Sequence, residues 1–236
     1  MELTLAGRNA FVTGANVAIA ARKLESLAPV QDALQASGRR VHAVALDVTK
    51  PASVAGAIDE AAAALGPLTV VVNNAGIAIT KPLLDHTDED WQHVIEVNLN
   101  GAWRVAQAAA RHMVKHAQGG SIVNIASILG LRVSAQVPSY AASKAALIQL
   151  TKAMALELAR HKIRVNALAP GYVETGINRE FFASEPGQAL IKRIPQRRIG
   201  SPEELDGALL LLASDAGSYM TGAVLAVDGG HVVNTL

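Results

Sequence analysis

A tyrosine and a lysine stand four positions apart in the sequence, as Tyr140 and Lys144. A proline precedes them and good helix formers continue to Leu158, which predicts a helix that begins near Ser139. Residues four apart share one face of a helix, so the phenol and the ammonium should lie one turn from each other. Because a cation favours the ionised phenol, we expect Lys144 to lower the pKa of Tyr140 toward the range of acid–base catalysis.

That spacing alone is more often an accidental surface pair, but a hydroxyl group upstream changes the interpretation. Ser127 ends the run 120–127, a short apolar stretch with glycines beside it, and the run is therefore predicted as a buried strand. Ligands of open α/β sheets bind at the carboxyl ends of the strands. The hydroxyl of Ser127 should therefore lie where a ligand binds.

Strands and helices that could position these residues alternate along the chain. Short apolar runs predict strands at 8–13, 17–21, 41–46, 68–72, 120–127, 164–169 and 223–227. Helices are predicted at 24–37, 51–65, 87–119, 139–158 and 202–214, and the run Thr87-Asp88-Glu89-Asp90 is typical of an N-terminal helix cap. This alternation predicts a parallel sheet between helices.

Eight short motifs, in this order, resemble those of the short-chain dehydrogenase/reductase family over nearly the whole chain. They are Thr13-Gly14-Ala15, Leu46-Asp47-Val48-Thr49, Asn73-Asn74-Ala75-Gly76, Val97-Asn98-Leu99, Ser127, Tyr140 with Lys144, Pro170-Gly171-Tyr172-Val173-Glu174-Thr175 and Val227-Asp228-Gly229-Gly230. The resemblance implies a single Rossmann-type domain over residues 1–236, a doubly wound parallel sheet with helices on both faces. It also implies an NAD(P)(H)-dependent oxidoreductase that interconverts a ketone and a secondary alcohol by hydride transfer.

The same resemblance assigns four catalytic residues. Ser127 would hydrogen-bond the carbonyl oxygen, and Tyr140 would exchange the proton. Lys144 would lower the tyrosine pKa and bind the nicotinamide ribose. Asn98, the fourth, would hold a water next to Lys144; the alternative is a helix kink or a structural amide in a long buried helix, because a buried amide must find partners.

The resemblance also implies the residues of a cofactor site, with the adenine beside Asp47 and the nicotinamide carboxamide beside Val173 and Thr175. The residues are Gly14, Arg22, Asp47, Val48, Asn74, Ala75, Gly76, Tyr140, Lys144, Pro170, Gly171, Val173 and Thr175. Asp47 has an alternative role as a cap for the helix that follows it. Asn73 is expected to brace the sheet instead of touching the cofactor.

The choice between the two nicotinamide cofactors depends on the end of the second strand. Arg22 and Lys23 follow that strand directly, and Ala21 holds the position where an acidic residue would bind a ribose hydroxyl. An arginine there accommodates a 2′-phosphate. NADP(H) is therefore expected to be preferred, with NAD(H) possible; the alternative is a solvated helix start in which Glu25 pairs with Arg22.

The connection between the first two strands is too short. Only Gly14, Ala15 and Asn16 separate them, whereas a parallel crossover takes roughly 10–12 residues or more. Family members carry a glycine-rich turn and a helix here, which hold the pyrophosphate. A segment of roughly 15–20 residues is therefore predicted to be missing between Asn16 and Val17. Either the protein carries it and the printed sequence lacks it, which we favour because the downstream motifs are intact, or a true deletion weakens dinucleotide binding.

Composition excludes several other classes of protein. Half of the residues are hydrophobic, yet no stretch is long and apolar enough for a membrane span, and the N-terminus does not resemble a secretory signal. A net charge of +1 gives no basic footprint for nucleic acid. The chain has no cysteine, which fits a cytoplasmic protein. Its histidines show no spacing typical of a metal site, so no metal is expected.

The substrate remains open between a small carbonyl or alcohol compound and a carrier-bound one. Residues 176–200 lack a clear period and carry a basic run, 193–198, which suggests a mobile lid over the substrate. Arginines near Ile199 keep a 3-oxoacyl carrier-protein reductase as an alternative, since they could meet an acidic carrier. A catalytically inactive nucleotide-binding member is a further alternative. The resemblance implies a homotetramer, and small residues on the helices at 87–119 and 139–158 would let two subunits approach closely.

Overall fold

The computed structural model describes residues 9–10, 16–36, 38, 40–174 and 178–234. Its strands are β1 (Asn9–Ala10), β2 (Asn16–Ala21), β3 (Val41–Ala45), β4 (Val70–Asn73), β5 (Gly120–Ile125), β6 (Ile163–Pro170) and β7 (Val224–Val227). Its α-helices are α1 (Ala28–Ala36), α2 (Pro51–Leu65), α3 (Asp88–Ile95), α4 (Ala102–His116), α5 (Pro138–Leu158), α6 (Arg179–Ala183), α7 (Glu185–Ile191) and α8 (Asp206–Ala213).

All the strand pairs of the described residues are parallel, as predicted. Strands β3, β2 and β1 lie side by side in that order, and β4 to β7 form a second set in sequence order. Strand β1 contacts β4, so the two sets meet there and the strand order reverses at the junction. This is the order of a doubly wound Rossmann-type sheet, whose ligands bind outside the carboxyl ends of the strands near that reversal.

Helices cover both faces of the sheet because the central strands are apolar on both sides. Ile122 and Val123 are neighbours in β5, point to opposite faces and are both fully buried. On one face Ile122 packs in a cluster with α2, α4 and α5 that includes Val54, Met113 and Ala155. On the other face Val123 packs with Leu212 of α8. The core therefore consists of two layers with the sheet between them.

The helix predicted over 87–119 is interrupted. Thr87 forms the predicted N-terminal capping box with Asp90, and α3 begins after it. A π-helical turn then spans Glu96–Gly101 before α4 continues to His116. Such single π-turns inside α-helices are found mostly at functional sites. Asn98, where we considered a helix kink as the alternative to a catalytic role, lies inside this turn.

The connection before β2 remains short in the structure. Strands β1 and β2 pair in parallel with Asn9 opposite Asn16, as expected if their direction is that of the rest of the sheet. Strand β2 includes both Asn16 and Val17. A segment missing between these two residues would interrupt the strand, so any missing segment lies before Asn16. The connection consists of residues 11–15. These include Gly14 and lie outside the described residues.

The segment predicted to form a lid contains two short helices, which its sequence did not indicate because it lacks a clear period. Helices α6 and α7 lie within 176–200. Ser184 starts α7 by accepting a hydrogen bond from the backbone N–H of Gly187. The ring of Phe182 packs edge-on against that of Tyr172, with 6.0 Å between centroids. This contact attaches the segment to the loop that follows β6.

No helix within the described ranges has the length and hydropathy that a membrane span needs. Among those same residues, no cluster of His, Asp or Glu side chains could hold a metal ion.

Candidate active site

Ser127 lies just beyond the carboxyl end of β5, as predicted. Its hydroxyl oxygen accepts a hydrogen bond from the backbone N–H of Leu129 at 3.1 Å and so caps the short turn Ile128–Gly130. This bond fixes the direction of the side chain. The hydroxyl also acts on Tyr140, since it lowers the pKa of that phenol.

The pKa of Tyr140 is raised above its usual value, contrary to the prediction. Burial is the largest cause, the hydrogen bond from Ser127 opposes it, and the nearby Tyr172 adds a smaller increase. Lys144 does not offset the burial: its Nζ lies 5.6 Å from the centroid of the Tyr140 ring. Desolvation, which cannot be seen in the spacing of the sequence, therefore controls this group. Tyr140 is protonated at neutral pH and is suited to donate its proton.

Lys144 is buried one turn after Tyr140 on α5, as predicted. Its Nζ donates a hydrogen bond to the backbone carbonyl of Ile125 at 2.7 Å, at the end of β5. Burial lowers the pKa of Lys144 from 10.5 to about 8. The backbone of α5 passes so close to Gly130 that a Cβ there would lie 2.8 Å from the Lys144 carbonyl. The hydrogen bond to Ile125 therefore holds the ammonium of Lys144 between α5 and the end of β5.

Asn98 lies inside the π-helical turn and is completely buried. Its Oδ1 accepts from the backbone N–H of Ile77 at 2.8 Å, and its Nδ2 donates to the Ile77 carbonyl at 2.9 Å. Nδ2 also donates to the Ser143 hydroxyl at 3.0 Å. The structural role that we considered as the alternative is therefore present. The side chain ties the loop after β4 to α5.

Ser143 belongs to the site although sequence reasoning did not identify it. It is fully buried, and its hydroxyl donates to the backbone carbonyl of Tyr140 at 2.7 Å while accepting from Asn98. A signal was available: Ser143 lies three residues after Tyr140 and next to Lys144, on the helix face already expected to turn inward. The structure therefore brings Asn98, Ser127, Tyr140 and Lys144 together, with Ser143 between two of them.

A second set of buried polar side chains braces the strands beneath the site. Asn73 Nδ2 donates to Asn124 Oδ1 at 2.8 Å and to the carbonyl of Ala102 at 3.1 Å. Asn124 in turn donates to the hydroxyl of Thr151 on α5 at 2.8 Å. The predicted bracing role of Asn73 is confirmed. The sequence did not predict that Asn124 and Thr151 belong to this hydrogen-bond network, since each could have been an isolated polar residue of the core.

The residues expected to line the cofactor follow β4 and β6. Asn74, Ala75 and Gly76 are exposed directly after β4. A Cβ at Gly76 would lie 3.4 Å from Lys144 Nζ and 3.5 Å from Asn98 Oδ1, so this glycine opens space beside the catalytic residues. The structure thus places the two predicted groups of residues next to each other.

The loop after β6 contains the remaining residues of this set. Pro170 ends β6, and a Cβ at Gly171 would come within 2.6 Å of Asp228. Val173 forms a β-bridge with Gly200, and its carbonyl accepts from Asn178. Thr175 lies outside the described residues.

Asp47 and Val48 follow β3, where the carboxylate of Asp47 already has partners. Its Oδ1 accepts from the backbone N–H and the hydroxyl of Thr49, at 3.0 and 2.6 Å, and these bonds keep its pKa below the usual value. The helix cap that we considered is instead a local turn, since Lys50 precedes α2. The carbonyl of Val48 accepts from Arg104, and a Cβ at Gly101 would collide with the Val48 side chain at 2.7 Å.

Arg22 is exposed at the end of β2 and has no hydrogen-bond or ion-pair partner within the described part of the chain. The alternative pairing with Glu25 is not observed there. The guanidinium is thus available to an anion.

The residues described above suit the nicotinamide and adenine ends of a dinucleotide better than they suit its pyrophosphate. The nicotinamide end would meet Tyr140, Lys144 and the open space at Gly76. The residues after β3 lie at the other end. Between them, the described residues offer no glycine-rich turn followed by a helix after β1, which is the usual seat of a pyrophosphate.

A large apolar cavity opens where the two sets of strands meet. Its volume is about 570 Å³, and its walls include Val30 and Leu34 of α1, Leu209 of α8, Val17 of β2 and Val71 of β4. Apolar surface of this extent is normally covered by another element of the fold.

Comparison with known proteins agrees with this geometry. A family model described as enoyl-(acyl carrier protein) reductase matches residues 8–232. The 2-dehydro-3-deoxy-D-gluconate 5-dehydrogenase of Escherichia coli is 36% identical over 231 residues, which cover 98% of this chain and 88% of that protein. The 3-oxoacyl-(acyl-carrier-protein) reductase of Chlamydia muridarum is 40% identical over 218 residues, 92% of this chain and 87% of that protein.

Among solved structures, a gluconate 5-dehydrogenase from Burkholderia cenocepacia in complex with NADP and tartrate superposes with a TM-score of 0.92. It is 36% identical, and the match covers 99% of this chain and 98% of that one.

Proposed function

The chain belongs to the short-chain dehydrogenase/reductase family of NAD(P)-dependent oxidoreductases, and we propose that Tyr140 carries its acid–base chemistry on a sugar acid. The observation that carries this proposal is the convergence of Ser127, Tyr140 and Lys144 at the carboxyl end of β5. The sugar-acid substrate class is supported by the names of the relatives at 36% identity.

In the direction of reduction, Ser127 donates a hydrogen bond to the substrate's carbonyl oxygen. Tyr140 gives that oxygen a proton when charge develops on it, since its raised pKa keeps the phenol protonated until then. Lys144, in its charged form, stabilises the resulting tyrosinate. The bound nicotinamide supplies the hydride. Oxidation of the alcohol reverses these steps.

Asn98 would position the water through which a proton returns to Tyr140 after each reduction. Its side-chain amide is occupied by Ile77 and Ser143, so a water beside Lys144 would be held by the backbone of the π-helical turn. Backbone hydrogen bonding departs from the α-helical pattern in such a turn, which leaves carbonyl groups available. Asn98 then fixes the turn and contacts the water through its main chain.

Several residues would hold the cofactor, with NADP(H) preferred over NAD(H). The side chain of Arg22 would bind the 2′-phosphate, while Asp47 and Val48 lie beside the adenine. The small residues Asn74, Ala75 and Gly76 let the backbone approach the ribose, and Lys144 binds the ribose at the nicotinamide end. The residues from Pro170 and Gly171 to Val173 would face the carboxamide together with Thr175. The neighbouring gluconate 5-dehydrogenase with NADP supports this preference.

We further propose that a segment of roughly 15–20 residues is missing from the connection between β1 and β2 of this single domain. Only residues 11–15 join the parallel neighbours β1 and β2, whereas a parallel crossover takes roughly 10–12 residues or more. The apolar cavity between α1 and α8 is the space that a crossover helix would fill. If the protein itself lacks that helix and its glycine-rich start, the pyrophosphate loses its usual amide partners, and the cofactor should bind weakly through Gly14 and the two ends.

The assembly we propose is a cytoplasmic homotetramer, with residues 176–200 acting as a lid over the substrate. The helices α4 and α5 would pair between subunits. Trp103 and Leu156 on these helices are 44% and 83% exposed, which leaves apolar surface for a partner subunit. Light scattering at micromolar concentration should give four times the chain mass; a monomer would contradict this.

A carrier-protein reductase is the second candidate, since one relative of that name is 40% identical. The basic run that favoured it is partly neutralised. Arg198 donates two hydrogen bonds of 2.7 Å to Glu204, and the pKa of that carboxyl is lowered to about 2. Arg197 donates to the carbonyl of Lys192. An inactive nucleotide-binding protein, the third alternative, would not need Ser127 and Lys144 beside Tyr140, so this arrangement counts against it.

The test is consumption of NADPH, followed by absorbance, with 5-keto-D-gluconate and with a 3-oxoacyl thioester. We expect turnover of the keto acid at a kcat/KM at least tenfold above that of the thioester. The reverse order would favour the carrier-protein reductase. No turnover of any carbonyl compound at saturating NADPH would contradict the proposal.

A further inference from the structure

His231 is a buried histidine that the proposed reaction does not use. It begins a short turn, His231–Val233, after the glycines that follow β7, and only 7% of it is exposed. Its Nδ1 is closed off from solvent and has no hydrogen-bond partner among the described residues. Buried polar atoms without a partner are rare in folded proteins, and a ligand atom is one common explanation.

Positive charge surrounds this imidazole. Arg132 donates a hydrogen bond to the backbone carbonyl of His231, and Arg193 lies close enough to act on it as well. Burial is the largest cause of the lowered pKa of His231, both arginines add to it, and Asp228 opposes them. Asp228 is itself engaged by the backbone N–H groups of Gly230 and Val232, at 2.9 and 2.6 Å.

The two arginines have no carboxylate partner in the part of the chain that the structure describes. Asp228 contributes one negative charge near two cations and makes no ion pair with either. The region therefore carries an excess of positive charge at a partly buried place, where an anion is attracted more strongly than at an open surface.

This region adjoins the proposed active site. The ring of Tyr172 lies 5.6 Å from that of His231, and the same Tyr172 is near enough to Tyr140 to raise its pKa. Arg132 follows the turn that Ser127 caps, and its backbone N–H donates to the carbonyl of Ile128. One tyrosine thus separates the proton donor from the cations. A substrate of a few carbons could reach both.

We propose that Arg132 and His231 bind the carboxylate of a keto or hydroxy acid whose carbonyl or hydroxyl carbon lies at Tyr140. The inference rests on the proposed function and adds to it which residues select an acid over a neutral sugar. The guanidinium of Arg132 donates to one carboxylate oxygen, and the imidazole of His231 donates through Nδ1 to the other. The ring must turn for this, because its Nδ1 is closed off from solvent in the structure. Arg193 adds charge without contact.

Direct binding tests this without cofactor or turnover. Calorimetry compares 5-keto-D-gluconate with the neutral D-fructose, on the unaltered protein, on Arg132→Gln and on Arg111→Gln. Arg111 is an exposed arginine of α4 and serves as the matched control. Arg132→Gln should weaken binding of the acid by about 10- to 100-fold and leave binding of fructose unchanged. The Arg111→Gln variant should bind both as before.

Two further readouts separate a binding role from a structural one. In the presence of NADPH, Arg132→Gln should raise KM for the acid with little change in kcat. In nuclear magnetic resonance spectra of the unaltered protein, the acid should shift the imidazole signals of His231, whereas fructose should not. If Arg132→Gln fails to fold, Arg132→Lys keeps the charge, loses the planar fork and should show an intermediate loss.

The outcomes distinguish this inference from the proposed function. Equal affinity of the unaltered protein for acid and neutral sugar, or equal weakening of both by Arg132→Gln, would overturn the inference even if the protein reduces ketones. Absence of turnover with selective, Arg132-dependent binding of the acid would overturn the proposed function and leave the anion subsite standing.

Discussion

The two sets of strands differ in how completely helices cover them. On the side of β4 to β7, α4 and α5 bury long faces, including Met113, Leu147 and Lys144. On the side of β1 to β3, α2 covers one face, where Ala18 and Val44 pack against it, whereas the structure describes every residue of α1 and none of them is buried. The cavity of about 570 Å³ lies where the two sides meet.

This difference separates two tasks that a dinucleotide-dependent enzyme must combine. The side with β4 to β7 holds the groups that would handle the substrate and its proton, and buried hydrogen bonds connect them. The other side would hold the phosphates and the 2′-phosphate ribose, and there the described residues offer little beyond Arg22. Chemistry and cofactor affinity should therefore respond to different substitutions.

The largest effect is expected in the well-covered half. Tyr140→Phe keeps the ring but removes the proton donor, and loss of a general acid typically lowers the rate by ~10²–10⁴. Cofactor affinity should change by less than about tenfold, since the ring still packs. Steady-state rates and NADPH titrations measure the two separately. Turnover near that of the unaltered protein would refute the role of Tyr140.

Arg22 tests the other half. Arg22→Asp replaces the cation expected at the 2′-phosphate with a carboxylate, and the preference for NADP(H) should reverse to NAD(H), with a change in the ratio of kcat/KM values of about 10- to 100-fold. Lys152→Asp on α5 is the control, because that exposed lysine lies on another element. A higher kcat/KM with NAD(H) in the unaltered protein would show that the end of β2 is misinterpreted.

Ser143 tests how far the well-covered half depends on its buried hydrogen bonds. Ser143→Ala removes the acceptor for Asn98 and the donor to the Tyr140 carbonyl, and should lower the free energy of unfolding by about 1–3 kcal/mol. Ser134→Ala, at an exposed position, should change it by less than about 0.5 kcal/mol. Urea denaturation measures both. Equal stabilities would mean that the network contributes nothing.

The smallest effect concerns the pH dependence of stability. Lys144 has a pKa of about 8 in the folded protein against 10.5 normally, so the unfolded chain binds more protons between these values. The free energy of unfolding should therefore rise from about pH 8 to pH 10, by at most about 1.4 kcal/mol per pH unit. Lys144→Met should abolish this rise in urea denaturation. A fall in stability across that range would contradict the assignment.

Most strands and the helix α5 could be predicted because local signals specify them. The apolar runs of β3, β5 and β6 and the helix formers after Pro138 need no knowledge of the rest of the chain. A kink at Asn98 was one predicted alternative, but its π-helical form could not be predicted, since Asn98 is held by the backbone of Ile77, twenty-one residues upstream. The capping box at Thr87 could be predicted from the sequence because its two members, Thr87 and Asp90, are only three residues apart.

The structure brings the residues predicted to be catalytic together, but their electrostatics could not be predicted. Spacing placed Lys144 beside Tyr140 correctly, yet the direction of the pKa shift of Tyr140 depends on burial, which only the folded protein establishes. Ser143 was missed because a serine on an alanine-rich helix has no distinctive pattern. The helices α6 and α7 were missed because each has fewer than eight residues and so shows no full period.

One measurement tests the contrast between the two halves most directly. A variant carries, between Ala15 and Asn16, an insert of roughly 15–20 residues with the sequence of a glycine-rich turn followed by a helix, and a control carries a glycine/serine insert of equal length. Both are compared with the 24.6 kDa chain by NADPH-dependent reduction of 5-keto-D-gluconate. We predict that the helix insert lowers KM for NADPH by at least about tenfold, since new amide partners reach the pyrophosphate, while kcat stays within about threefold. An unchanged KM for NADPH, or a gain confined to kcat, would contradict a complete catalytic half joined to an incomplete cofactor half.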